Sequence, residues 1–119
     1  MSYIQGFVVP VPVANRAAYR DMAASAAPVF RELGAERVVE CWGDDIPDGK
    51  VTDFKRSVQA KADETVVFSW IVWPDKATCE AAQAKMMADE RLKPGPGGMP
   101  FDGKRMIYGG FTPLFDTED

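Results

Sequence analysis

The stretch ETVVFSWIVW, residues 64–73, narrows what this chain can fold into more than any other part of it. Of the eight residues from Val66 to Trp73, Ser69 alone carries a polar side chain. Valine, isoleucine and aromatic residues in a run this short predict a strand rather than a buried helix. Successive side chains of a strand point to opposite faces, so this one is apolar on both. One face can lie against helices of the same chain. The other needs a cover, because a sheet face open to water alternates with polar residues.

The segments around it supply the helices. YIQGFVVPVP (Tyr3–Pro12) is a strand whose prolines fall near its end, where a missing donor is tolerated. Tyr19, Met22, Ala26, Val29, Phe30 and Leu33 recur at helical spacing, predicting a helix over 15–33 with Asn15 as N-cap and Gly34 as its stop. Pro28 inside that helix predicts a kink or a broken last turn. Residues 36–44 alternate as a second strand, with Val38, Glu40 and Trp42 on one face. Residues 44–63 are polar, either a long hairpin arm or a loop folded over the sheet. After 64–73, Pro74 and Asp75 open a helix with Cys79, Ala82 and Met86 on one stripe. Residues 93–103 form a turn-rich loop, 104–111 a last strand with a bulge at Gly109 and Gly110, and the acidic end DTED frays.

Strand, helix, strand, strand, helix, strand is the ferredoxin-like β-α-β-β-α-β order, an α+β fold with both helices on one face of an antiparallel sheet. At 119 residues the whole chain, 1–119, is expected to be a single such domain. With the helices on one side, the second apolar face of residues 64–73 predicts a homodimer in which an identical sheet covers it. The competing reading is that 44–63 folds back as a lid.

Composition removes several classes of function. With 18 acidic and 14 basic residues and no long basic run, nucleic acid is not an expected partner. The N-terminus lacks a basic lead and an uninterrupted apolar stretch, and nothing approaches a membrane span, which predicts a cytoplasmic protein with no membrane partner. Two cysteines, Cys41 and Cys79, are too few for a disulfide framework and read as reduced core residues. The chain has no histidine, so Ser-His-Asp and Cys-His catalysis are excluded and no metal or cofactor is expected. The acidic segment from Asp44 fails the calcium-loop template, with Ile46 at the third position and Lys55 where the bidentate glutamate belongs. The glycines of GPGGMPFDG lack both phosphate-loop spacings.

What remains is a set of polar and aromatic residues suited to a small-molecule pocket between sheet and helices. Trp42, Trp70 and Trp73 are large enough to line one, and Glu40 shares the face of Trp42; a carboxylate among aromatics has a raised pKa and acts as acid or base. Trp70 and Trp73 lie on opposite faces, so at most one of them lines it. The catalytic candidates are Glu40 and Asp53; the ligand-binding candidates are Trp42, Lys55, Arg56, Trp70, Phe101, Asp102 and Arg105, the basic ones as anion anchors. The plainer alternative is a non-catalytic stress or interaction protein whose tryptophans fill the core or the dimer interface and whose Glu40 pairs with a lysine or arginine.

GKVTDFKRSVQAK at 49–61, DETVVFSWIVWPDK at 63–76 and MPFDGKRMIYGGF at 99–111, together with RVVECWGDDIPDGK at 37–50, resemble the YbaA-like family of small uncharacterised bacterial proteins, domain of unknown function 1428. The resemblance implies the dimeric α+β barrel superfamily, in which two ferredoxin-like sheets pack face to face. It implies no activity, and the histidine on which many superfamily enzymes rely is missing here.

Overall fold

A computed structural model describes residues 2–95 and 97–118; Asp119, the last residue of the acidic end, lies outside it. The elements are β1 (Tyr3–Pro12), α1 (Arg16–Glu32), β2 (Arg37–Trp42), the single turn α2 (Phe54–Ser57), β3 (Glu64–Trp73), α3 (Lys76–Ala88) and β4 (Ile107–Phe111). All strand pairings are antiparallel, in the order β2-β3-β1-β4. The protein is a small α+β structure built on a four-stranded sheet.

α1 and α3 pack on the face that carries Val67, Ser69, Ile71 and Trp73 of β3. Two apolar clusters fill this side. Under α3, Cys79 and Ala82 meet Ile71 and the fully buried Trp73, whose indole donates to Gln5 Oε1 at 3.3 Å. Under the first turns of α1, Tyr19 meets Val9, Val11 and Val67. The opposite face of β3 carries Val66, Phe68, Trp70 and Val72. Phe54 of α2 packs edge-on against Phe68 at 6.1 Å, and Val58, Val66 and Pro10 are buried, so segment 44–63 roofs one end of this outer face. Phe68 (46% exposed), Ile107 and Phe111 (59%) stay open beyond the roof.

Local signals explain most element boundaries. Asp75 accepts from Thr78 N at 2.7 Å and starts α3. At the end of α1, Gly34 with φ of 113° lets Gly34 N reach Arg31 O and Ala35 N reach Phe30 O, the paired bonds of a Schellman stop.

Four local expectations are corrected. Asn15 does not cap α1: a 3-10 turn, Val13–Asn15, leads into the helix, and the Asn15 amide instead donates to Pro100 O at 3.0 Å. Of the two outcomes expected at Pro28, the broken last turn does not occur, since α1 continues to Glu32. The last strand begins at Ile107 rather than 104, because a 3-10 turn occupies Gly103–Arg105. No bulge forms at Gly109 and Gly110, for β1 and β4 pair continuously from Ile4↔Phe111 to Val8↔Ile107. Gly110 makes room for the Tyr3 ring, which any side chain at 110 would strike.

Candidate functional site

Ser69 interrupts the apolar helix-side face of β3 midway between the two clusters. Across the register it pairs with Glu40 of β2, and on its other side with Phe7 of β1. α1 sets Tyr19 over this point, and the Tyr19 hydroxyl donates to Glu40 Oε1 at 2.8 Å. A tyrosine buried in an otherwise apolar cluster needs a partner for its hydroxyl, and Glu40 is that partner.

Glu40 stands where two cavities meet. The larger, about 700 Å³, lies between α1, the sheet and residues 91–95 and 97–101, walled by Phe7, Met22, Phe30, Ile71, Phe101 and Met106. The second, about 630 Å³, runs along the first turns of α1 past Trp42 and Val67. Tyr19, Ala23 and Glu40 belong to both walls. Either volume is in the range of small-molecule sites.

The carboxylate is exposed to this groove, yet the apolar walls strip it of part of its hydration. Burial raises the Glu40 pKa above 4.5, and the Tyr19 and Ser69 hydroxyls pull the other way. Tyr19 is pushed upward in turn, first by burial and then by the negative charge it faces, so it stays a donor throughout the ordinary pH range. A carboxyl group held by neutral hydroxyls, with no arginine or lysine in salt-bridge contact among the described residues, can still take up and release a proton.

The other candidates fall in four places. Trp42 is beside Glu40 in the second cavity, with the Arg16 guanidinium 5.6 Å from its ring centroid, and Phe101 walls the first cavity edge-on to Tyr19 at 5.8 Å. Trp70 sits on the outer face beside Phe68, 5.5 Å away, and so apart from Glu40; Trp73 is core.

Asp53, Lys55 and Arg56 form a separate cluster around α2. Asp53 caps that turn by accepting from Arg56 N at 2.8 Å and Gly49 N at 3.0 Å, hydrogen bonds that hold its carboxyl below the usual range. Arg56 is spent on Asp53 and the carbonyls of Gly49 and Lys50. Arg105 is likewise committed: it makes paired bonds to Glu64 at 2.7 and 2.8 Å, one to Asp102 at 2.8 Å and one to Gln59 O at 2.9 Å. These contacts clasp loop segments in place, and neither arginine lines the groove beside Glu40.

Tyr19, Ser69 and Arg16 enter the site although reading the sequence had not proposed them. Tyr19 sat on a helical apolar stripe and Ser69 was the lone polar residue of β3, which was the available signal. Burial raises the Cys79 thiol, so it is not an activated nucleophile, and Cys41 is half-buried on the outer face. No group of three or more potential metal ligands occurs among the described residues, and no helix among them is long and apolar enough to cross a membrane.

Over residues 2–103 the chain matches the family described as "Protein of unknown function (DUF1428)". The uncharacterized protein YbaA of Escherichia coli strain K12 is 59% identical over 116 residues, covering 98% of this chain and 99% of that protein. The Shigella flexneri protein of the same description matches equally. Among solved structures, that of Rv0793 from Mycobacterium tuberculosis aligns over 98% of this chain and 99% of its own at 11% identity, with a TM-score of 0.49.

Proposed function

The chain belongs to the DUF1428 family of proteins of unknown function, and within it we propose a small-molecule site in the groove between sheet and helices, with Glu40 as the proton-exchanging group. The observation that carries this reading is the Glu40 carboxyl, held by neutral hydroxyls, Tyr19 at 2.8 Å and Ser69 across the register, at the junction of two cavities with mainly apolar walls. As carboxylate it accepts a proton from a bound ligand; as acid it returns it. Neither step needs a histidine or a metal. Phe101 and Trp42 bound the ligand space, and Tyr19 keeps the carboxyl pointed into it.

A screen of small metabolites against the isotopically labelled protein tests this by NMR. The three indole N–H groups stand in three environments: Trp42 in the groove, Trp70 on the outer face and Trp73 in the core. Ligands should shift Trp42 and lose affinity in Glu40→Gln while the melting temperature does not fall. Ligands that shift only Trp70, or a Glu40→Gln variant that loses stability with binding unchanged, would favour the non-catalytic interaction reading.

That second reading has its own support in the outer face, where Phe54, Phe68, Ile107 and Phe111 are exposed. The same face belongs to our assembly proposal: a ferredoxin-like domain, given its strand order, that pairs sheet to sheet with a second copy as a dimeric α+β barrel. Light scattering on a size-exclusion peak at micromolar concentration should return twice the chain mass. A monomer mass would refute the assembly and leave the groove untouched.

A further inference from the structure

The two lobes of the groove differ in charge, and that difference bears on what it binds. This step rests on the groove reading above. The first lobe has basic residues at its rim, but they are occupied: Arg91 pairs with Glu32 and Asp89, each at 2.8 Å, and Lys93 with Glu90 at 2.9 Å. The rest of its wall is mainly phenylalanine, methionine and aliphatic side chains. An anion therefore finds no free partner there, whereas an apolar body does.

The second lobe is the reverse. Arg16 and Arg20 of α1 line it together with Trp42. Arg20 has Asp21 at 3.7 Å, but Arg16 makes no salt bridge among the described residues, and its guanidinium lies 5.6 Å from the Trp42 ring centroid. A cation–π contact of that kind holds the guanidinium over the ring and leaves N–H groups free to donate. One oriented guanidinium suits one carboxylate, which it can grip with two parallel bonds. The Glu40 carboxyl on the same wall disfavours a more highly charged anion.

We propose that the groove binds amphipathic monocarboxylates, with the carboxylate on Arg16 in the second lobe and the apolar body in the first, so that the intervening atoms pass Glu40 and Tyr19. Arg16 is thereby a ligand-binding residue, and the specificity of the site is set by the distance between an anion and a hydrophobic group.

Phenylbutyrate, phenylbutanol and phenylbutylamine share one apolar body and differ in charge, and NMR titration with each tests the assignment. Phenylbutyrate should bind most tightly and shift the Trp42 indole. Arg16→Gln, a change at an exposed position, should weaken phenylbutyrate about tenfold, the scale of one charge-assisted contact, while moving phenylbutanol less than about twofold. If phenylbutanol binds as well as phenylbutyrate, or Arg16→Gln affects neither, the anion assignment falls and the groove reading stands. Tightest binding by the amine gives the polar end to Glu40 and also overturns the assignment. If no probe moves Trp42, both readings lose their support.

Discussion

Two glutamates on neighbouring strands of one sheet meet opposite fates. Glu64, at the start of β3, receives two bonds from Arg105, and those bonds hold its pKa below 4.5. Glu40, in the middle of β2, accepts from the Tyr19 hydroxyl and makes no salt bridge among the described residues, and burial moves its pKa above 4.5. Glu64 is spent on fastening the turn Gly103–Arg105 to the sheet. Glu40 keeps its chemistry. The contrast separates a carboxylate that holds structure from one that can serve a ligand, and it does so by partner rather than by residue type.

The contrast can be broken most forcefully at Glu64. Glu64→Ala leaves Arg105 without its main partner in a nearly closed site and should lower the melting temperature by on the order of 10 °C, measured by calorimetry. The sign with pH follows from the depressed value: the stability from Glu64 is present above pH 4.5 and is lost as pH falls through its folded pKa. Tyr19→Phe comes next. It removes one hydrogen bond from a buried position and should cost about 1 kcal/mol in denaturant unfolding, while raising the Glu40 pKa further.

The smallest effect belongs to Glu40→Gln. Because the folded pKa of Glu40 is raised, its contribution is fully present below pH 4.5 and is lost as pH rises through the folded value. The variant should therefore match the wild type near pH 4 and become slightly the more stable of the two near pH 7. A variant that is less stable at pH 7 would mean that Glu40, too, is a structural clasp.

How much of this was legible in the sequence depends on how local each cause is. β3 runs from Glu64 to Trp73 as its composition predicts, Asp75 caps α3, and Gly34 ends α1, since each signal lies within a few residues of its effect. Glu40 and Trp42 were legible as neighbours because they stand two apart on one strand. Arg105 was not legible as a clasp, because Glu64 is 41 residues away and only the fold brings them together. Tyr19 fitted an apolar stripe, and nothing local to α1 says that its hydroxyl meets β2. Gly110 suggested a bulge because its reason, the Tyr3 ring, lies on another strand. Function rests on these distant pairings, which is why the fold was easier to read than the site.

Carboxyl-carbon NMR on the labelled wild-type protein, following Glu40 and Glu64 through one acid titration, tests the central claim most directly. The account predicts that Glu64 titrates below 4.5 and Glu40 above it, with the Glu40 midpoint moving up again in Tyr19→Phe. A Glu40 midpoint at or below that of Glu64 would contradict it.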